Sequence, residues 1–207
     1  MKLKTLTFFD LDDLIYDKIT NLIKEICTIT GHEDKEVIFF EIFAEIVQNA
    51  AKANFKEVVK KEIELNKPQK VEYEKLMKDF KDRLPKAHDE LALKAEKYNL
   101  YIKLEVLLSR ANIMQFKCIN NRQASKREMD RLNHKIEQSK KYDRLADFYL
   151  DHYDDSEGAG LGTALIDISL RAMGYRNFLY RVYNDNHNQT VTELVIDLQE
   201  EGVVFYD

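Results

Sequence analysis

The chain has 207 residues, of which 44% are hydrophobic and 33% are charged, and its formal net charge is −5. This composition is typical of a soluble globular protein that buries its own core, and the negative charge gives no reason to expect a nucleic-acid partner. No apolar run approaches the roughly 20 residues of a membrane span, so no membrane partner is expected. Acidic residues soon follow Met1, which argues against a secretory signal and favours a cytoplasmic location.

The first half of the chain has mainly helical periodicity. Its apolar spacing predicts a short strand at residues 2–9 and helices at about 10–30, 33–65 and 70–97. Gly31 is well suited to end the first of these helices, and His32 beside it is interpreted as a surface residue. Pro85 is a candidate to break the third helix, because proline lacks an amide hydrogen and collides with the preceding turn.

Alternating hydrophobicity replaces the helical period at Leu100. Residues 100–108 and 113–119 alternate on either side of a turn, which predicts a β-hairpin with one polar and one buried face. The remaining pattern predicts helices at about 125–140 and 142–152, a helix ending at Met173, and strands at about 177–184 and 190–198. The first of these helices opens with Ser125 and Glu128 in the spacing of a capping box.

Three of the six glycines, Gly158, Gly160 and Gly162, fall within five positions directly before an apolar helical run. Glycine lets the backbone bend tightly and approach a ligand closely. A loop of small residues that leads into a helix N-terminus is suited to bind phosphate. The run matches neither the dinucleotide fingerprint nor the Walker loop, so a flexible hinge remains an alternative.

A polar stripe lies along the predicted helix at 33–65. Glu41, Glu45, Asn49 and Lys52 are spaced so that they lie on one face. An asparagine oxygen is a good ligand for Mg²⁺ when phosphates and waters complete the coordination, and a carboxylate one turn earlier can orient or deprotonate a water. The alternative is an ordinary amphipathic helix with a charged edge.

Together, these two stretches resemble the GHKL family of ATP-binding domains, which includes DNA gyrase B subunits, heat-shock chaperone ATPases and histidine kinases. The run from Glu45 to Lys52 (EIVQNAAK) matches the N-box pattern E-x-x-x-N-A-x-K, and the run from Gly158 to Gly162 (GAGLG) matches the G2 pattern G-x-G-L-G. The resemblance covers roughly residues 33–198. It implies a Bergerat-type two-layer α/β sandwich, with a mixed, mainly antiparallel sheet packed against helices.

The third motif of that family, the G1 box D-x-G-x-G, is altered in this chain. Asn120 stands where the family has the aspartate that accepts from the adenine amino group, while Arg122 and Ala124 replace glycines. An asparagine oxygen still accepts a hydrogen bond, but it lacks the carboxylate charge. We therefore expect these replacements to weaken, alter or abolish adenine binding.

The resemblance also divides the chain into parts. It implies a single ATP-binding domain over residues 1–207, with an N-terminal helical extension at 1–32, a helical insertion at 55–99 and a lid region at 122–157. The insertion is expected to pack on the outer side of the sheet. In the family the lid folds over the phosphates, and in this chain it could instead dock a partner.

The function implied by the resemblance is binding of ATP or ADP with Mg²⁺, in a stand-alone kinase or anti-sigma-like regulator that acts on a separate signalling protein; a homodimer is compatible with it. Asn49 would hold the metal, and Glu45 would be the catalytic base if ATP is hydrolysed. The implied nucleotide-binding residues are Asn49, Lys52, Asn120, Gly158, Gly160, Leu161, Gly162 and Thr190. The alternative is a non-catalytic interaction module that has kept the fold and lost nucleotide binding.

Overall fold

The computed structural model describes residues 2–66, 73–152 and 161–199. Five strands run at Lys2–Phe8 (β1), Ile102–Leu108 (β2), Ile113–Asn120 (β3), Phe178–Asn184 (β4) and Thr190–Asp197 (β5). Seven α-helices in these parts of the chain run at Asp13–Thr30 (α1), Glu36–Asn66 (α2), Tyr73–Arg83 (α3), His88–Lys97 (α4), Lys126–Ser139 (α5), Leu145–His152 (α6) and Leu161–Ala172 (α7). A 3-10 turn at Glu33–Lys35 precedes α2.

The ends of the helices follow the local sequence signals. Gly31 has a φ of +74°, a left-handed conformation that closes α1 and that favours glycine. Pro85 lies between α3 and α4, which confirms the break in the predicted helix at 70–97. Ser125 caps α5, and Glu128 completes the predicted capping box by accepting from the backbone N–H of Ser125.

The strands form one sheet in the order β1-β2-β3-β5-β4, and all four pairings are antiparallel. The register pairs Ile102 with Asn120, Asn120 with Thr190, and Thr190 with Asn184. At this end of the sheet, three polar side chains from β3, β5 and β4 therefore lie side by side. This row forms the floor of the site described below.

The core lies between one face of the sheet and the helices. Every second residue of β2 and β3 is buried, and α2 packs against both of these strands as well as against α1 and α7. Phe43 of α2 and Phe116 of β3 are fully buried, with ring centroids 4.0 Å apart. This arrangement confirms the predicted two-layer α/β sandwich with a mainly antiparallel sheet.

Two sequence interpretations are wrong. His32 is buried, with 6% of its surface exposed, because the left-handed turn at Gly31 directs its backbone N–H back to the carbonyl of Cys27 at 2.9 Å. The described part of the insertion at 55–99 packs against α2 rather than on the outer side of the sheet. Leu91 and Ala95 give α4 an apolar face that joins the main core on the helical side.

The described part of the lid region is mainly helical and is hydrogen-bonded to α7. Arg171 of α7 donates to Asp167 of the same helix at 3.0 Å, to Asp143 before α6 at 2.9 Å and to the carbonyl oxygen of Ser139 at 3.2 Å. These bonds hold the junction between α5 and α6 against α7. None of the helices in the described ranges is long and apolar enough to cross a membrane.

Candidate functional site

A cavity of about 440 Å³ lies between α2, α5, the start of α7 and the end of the sheet where β3, β4 and β5 meet. Six of the residues singled out from the sequence line it, namely Glu45, Asn49, Lys52, Asn120, Gly162 and Thr190. Its volume is within the range of about 300–1,000 Å³ that small-molecule sites occupy. Gly158 and Gly160 lie outside the described residues, as does the side chain of Leu161.

The polar stripe of α2 forms one wall of this cavity. Asn49 Nδ2 donates to Oε1 of Glu45 at 2.8 Å, as two residues one helical turn apart can do. That contact uses the amide nitrogen of Asn49, so Oδ1 remains the atom that can coordinate a cation. Glu41, the first residue of the stripe, is exposed and does not line the cavity.

Gly162 brings the start of α7 against Glu45. A Cβ placed on Gly162 would lie 1.6 Å from Oε1 of Glu45 and 2.2 Å from its Cδ, so this position admits only glycine unless Glu45 moves. Gly162 is the second residue of α7, so the glycine allows a close approach within a helical turn. Glu45 of α2 and Gly162 of α7 are thus in direct contact.

This contact predicts a coupling between the two positions. In the natural background, Gly162→Ala is expected to push Glu45 away from Asn49, and the lost hydrogen bond costs about 1 kcal/mol, which offsets any gain in helix propensity. In a Glu45→Ala background the same substitution is expected to be neutral or to stabilise by up to about 1 kcal/mol, because alanine is the better helix former. Urea unfolding of the four proteins measures both effects, and strictly additive changes would contradict the contact.

At the sheet end of the cavity, Thr190 and Asn184 hold the segment that follows β3. The hydroxyl of Thr190 donates to the carbonyl oxygen of Arg122 at 2.8 Å and accepts from the backbone N–H of Ala124 at 2.8 Å. Asn184 Nδ2 donates to the carbonyl oxygen of Ala124 at 2.9 Å. Thr190 therefore lines the cavity and also fixes the loop after β3.

Asn120 lies next to Thr190 and is 6% exposed. Its Nδ2 donates to the carbonyl oxygen of Ala50 at 2.9 Å and to Oδ1 of Asn54 at 2.8 Å. Both partners belong to α2, so these bonds tie β3 to α2 at the floor of the cavity.

The lining of the cavity is strongly positive. Its basic side chains are Lys52, Lys56, Lys81, Arg122, Arg131 and Lys135. Its acidic side chains are Glu45 and Glu128, which leaves a formal excess of four positive charges in a protein whose net charge is −5. Such a concentration of one sign within a cleft attracts anionic ligands.

Three charged residues that line the cavity, together with Glu57 beside them, form a partly buried ion-pair cluster. Lys56 contacts Glu128, and Arg122 lies 3.0 Å from Glu128 and 3.3 Å from Glu57. Burial opposes ionisation of Glu128, but the charges of Arg122 and Lys56 outweigh it and lower its pKa to about 2. Burial lowers the pKa of Lys56, although Glu128 counteracts this effect.

Tyr180 of β4 completes the wall between α7 and the sheet. Burial raises the pKa of its phenol above the usual range, a hydrogen bond with Thr163 opposes that rise, and the charges of Glu45 and Asp167 add to it. Tyr180 therefore stays protonated at neutral pH. Within the described ranges, no group of three or more His, Cys, Asp and Glu side chains is arranged to hold a metal ion by itself.

Comparison with known proteins gives one distant relative. The chain is 27% identical over 180 residues to an uncharacterized protein of Treponema pallidum (strain Nichols). The match covers 86% of this chain and 34% of the relative, so the chain spans about a third of the length of the protein it matches. No protein-family model matches the chain, and no solved structure matches it significantly.

Sequence reasoning missed several residues of the site. Lys81, Arg131 and Lys135 come from α3 and α5, and nothing in their local pattern separates them from ordinary solvated helix faces. Asn184 is the last residue of the strand predicted at 177–184, and its local pattern gives it no role. The register of the hairpin formed by β4 and β5, which pairs Asn184 with Thr190, is the signal that could have revealed it.

Proposed function

We propose that the chain binds ATP or ADP together with Mg²⁺ in the cavity between α2 and the sheet. The observation that carries this proposal is the excess of basic side chains around a cavity that is also lined by Glu45, Asn49 and Gly162. The negative charge of a polyphosphate is complementary to this excess of basic side chains. A purine base with its ribose supplies the bulk that a volume of about 440 Å³ accommodates.

The residues present suit the metal and the phosphates. Mg²⁺ prefers oxygen ligands and usually keeps several waters and phosphate oxygens, so it needs few ligands from the protein. Asn49 Oδ1 is the ligand that we propose, and Lys52 one turn along α2 would contact the phosphates. The start of α7 at Gly162 offers backbone N–H groups to an anion, and Gly158, Gly160 and Leu161 remain predictions for the same role.

We propose Glu45 as the catalytic base if the chain hydrolyses ATP. A carboxylate in this position takes a proton from the attacking water and holds it on one of its oxygens. Glu45→Ala is expected to abolish phosphate release while ATP still binds, because the side chain would act on the water and not on the nucleotide. Phosphate release and equilibrium binding are measured on the same samples; undetectable turnover in the natural protein would exclude hydrolysis by this chain.

The biological role that we propose is a cytoplasmic stand-alone kinase or anti-sigma-like regulator, acting on a separate signalling protein. Its support is the resemblance to the GHKL family together with the positive cavity. Asn120 and Thr190 are the residues proposed for the base side of the nucleotide. Transfer of phosphate to a protein partner and hydrolysis would both use the same bound nucleotide.

Calorimetric titration with MgATP and MgADP tests the binding proposal. Asn49→Ala is expected to weaken binding roughly 10-fold or more, the loss that follows from removing one ligand to a charged group. Gln48→Ala is the matched control, because Gln48 is the preceding residue of α2, is exposed and does not line the cavity. Equal affinities of Asn49→Ala and the natural protein would contradict the proposed role of Asn49.

A second candidate is the interaction module that has lost nucleotide binding. The observation that favours it is the ion pairing of Arg122 and Lys56 with Glu128, because Arg122 puts a large side chain where the family has a glycine. The same titration separates the two candidates. Failure of both ATP and ADP to bind at millimolar concentration would support the module and reject the nucleotide site.

A further inference from the structure

The cavity follows α2 from Glu45 to Lys56, and its two ends have different neighbours. At the first end, Glu45 is in contact with Gly162 of α7. Lys56 lies eleven residues further along the helix, which corresponds to roughly 16 Å along its axis. The 5′-phosphates of the proposed nucleotide, placed beside Gly162, therefore lie at the first end only.

The second end of the cavity is lined by basic side chains from four separate parts of the chain. This far basic group consists of Lys56 of α2, Lys81 of α3, Arg122 after β3 and Arg131 of α5. The ion pair of Arg83 with Glu62, at 2.5 Å, holds α3 beside this half of α2. The charged face of one helix is usually only solvated. Cations that converge on one cleft from four elements are a stronger indication of an anion site.

The carboxylates at this end are fewer than the cations. Glu128 pairs with Lys56 and lies 3.0 Å from Arg122, and Glu57 lies 3.3 Å from Arg122. Burial lowers the pKa of Lys56, Glu128 opposes that effect, and the charges of Arg122 and Arg131 add to it. Lys56 is therefore repelled by basic neighbours, and an anion placed among them would turn this repulsion into attraction.

We propose that the far basic group is a second anion subsite, and that the nucleotide bound by this chain carries a further phosphate on its ribose. The inference rests on the proposed nucleotide function and names the class of nucleotide. The 5′-phosphates would occupy the end at Gly162, and a phosphate on the 2′ or 3′ oxygen of the ribose would be held by Arg131 and its basic neighbours.

The place proposed for the base favours a ribose phosphate over a longer 5′-polyphosphate. Asn120, proposed for the base side, is hydrogen-bonded to Ala50 at 2.9 Å and to Asn54 at 2.8 Å. Both partners lie on α2 between Asn49 and Lys56, so the base and its ribose belong in the middle of the cavity. A longer 5′ chain would extend from the end at Gly162, away from the far basic group.

Calorimetric titration with AMP, ADP, adenosine 2′,5′-bisphosphate and adenosine 3′,5′-bisphosphate, all with Mg²⁺, tests the second subsite. ADP and the bisphosphates carry the same number of phosphates and differ in where the second phosphate is attached. At least one of the bisphosphates is expected to bind about 10-fold or more tightly than AMP, because its second phosphate forms charge-assisted hydrogen bonds. The comparison of the 2′ and 3′ compounds identifies the oxygen that carries it.

Arg131→Gln separates the placement of charge from its amount. It is expected to weaken the tighter bisphosphate about 10-fold and ADP by less than about threefold, because the phosphates of ADP lie at the other end of the cavity. Lys81→Gln, at an exposed position of α3, is expected to act in the same direction and decides the question if Arg131→Gln does not fold. Arg127→Gln is the matched control, because Arg127 is exposed on α5 and does not line the cavity.

The outcomes distinguish this inference from the function on which it rests. If ADP binds and neither bisphosphate binds more tightly than AMP, the nucleotide site stands and the second subsite is overturned. Equal losses of ADP and bisphosphate affinity in Arg131→Gln, or in Lys81→Gln should the first variant not fold, would also overturn it. If a bisphosphate binds while ATP and ADP do not, the second subsite stands and the proposed ATP function is rejected. Failure of all these nucleotides to bind would reject both.

Discussion

The free energy of unfolding of Glu128→Gln is expected to be about 3 kcal/mol lower than that of the natural protein at pH 7. Glu128 is the acidic partner shared by Lys56 and Arg122 in the partly buried cluster. Its removal leaves two partly buried cations with less compensation; breaking a fully buried pair costs roughly 3–5 kcal/mol, and the lower end of that range is expected for these partly exposed side chains. Glutamine still serves at the third position of a capping box, so the start of α5 is preserved.

The pH dependence of stability provides an independent measure of the same cluster. The pKa of Glu128 falls from an ordinary value of 4.5 to about 2 in the folded protein. A carboxyl group with a lowered pKa adds stability above its unfolded pKa, and this contribution is lost as the pH falls from about 4.5 towards 2. A shift of this size corresponds to roughly 3 kcal/mol.

Urea unfolding between pH 7 and pH 2 measures both effects. The free energy of unfolding of the natural protein is expected to fall by this amount between about pH 4.5 and pH 2. The free energy of unfolding of Glu128→Gln is expected to depend less on pH over the same range. Glu137→Gln is the control on the same helix, because Glu137 is exposed and forms a local pair with Lys140. If Glu128→Gln and Glu137→Gln have the same stability at pH 7, the cluster does not contribute as described.

Lys52→Glu is expected to reduce the affinity for MgATP about 100-fold. Two unit charges about 5 Å apart interact by roughly 3 kcal/mol at an effective dielectric constant of 20, and reversal turns an attraction to phosphate into a repulsion. Lys52 is exposed at the cavity rim, so solvent screens its interaction with the phosphates. The expected loss of affinity is therefore about 100-fold, less than the unscreened charge reversal would give. The loss is expected to shrink as salt is added.

Lys24→Glu is the matched control for this experiment. It changes the net charge of the protein by the same amount, but Lys24 is an exposed residue of α1 that does not line the cavity. Calorimetry at low and high salt compares the two variants with the natural protein. Equal losses in both variants would mean that only the net charge matters, and the cavity would then have no special role.

Local patterns predicted most of the fold. The alternation in 100–108 and 113–119 gave the central hairpin, because only one face of that hairpin contacts the helices. Gly31 and Pro85 marked helix boundaries through backbone chemistry that does not depend on distant contacts. The packing of the insertion at 55–99 on the outer side of the sheet was a wrong prediction, because tertiary contacts and not local pattern decide where the insertion packs.

Spacing along one helix predicted the wall that α2 forms, and motifs elsewhere in the chain predicted Asn120, Gly162 and Thr190. Glu45, Asn49 and Lys52 lie on one helical stripe, and their common place on the cavity follows from their spacing. The positions of Lys81 and Arg131 depend on how α3 and α5 pack around α2, which their own spacing does not encode.

The sequence also could not predict which side chains contact each other within the site. The contact of Gly162 with Glu45 and the bond from Asn120 to Asn54 each join residues that are distant along the chain. A conformational or ligand-binding reason for Gly162 could be proposed from its neighbours. The sequence could not show that the side chain of Glu45 occupies the space next to Gly162.

A crystal structure with Mg²⁺ and a non-hydrolysable ATP analogue tests the nucleotide site most directly. We expect the metal on Oδ1 of Asn49, the phosphates between Lys52 and the start of α7 at Gly162, and the base beside Asn120. An empty cavity at millimolar analogue, or an analogue bound elsewhere on the protein, would contradict the proposed site.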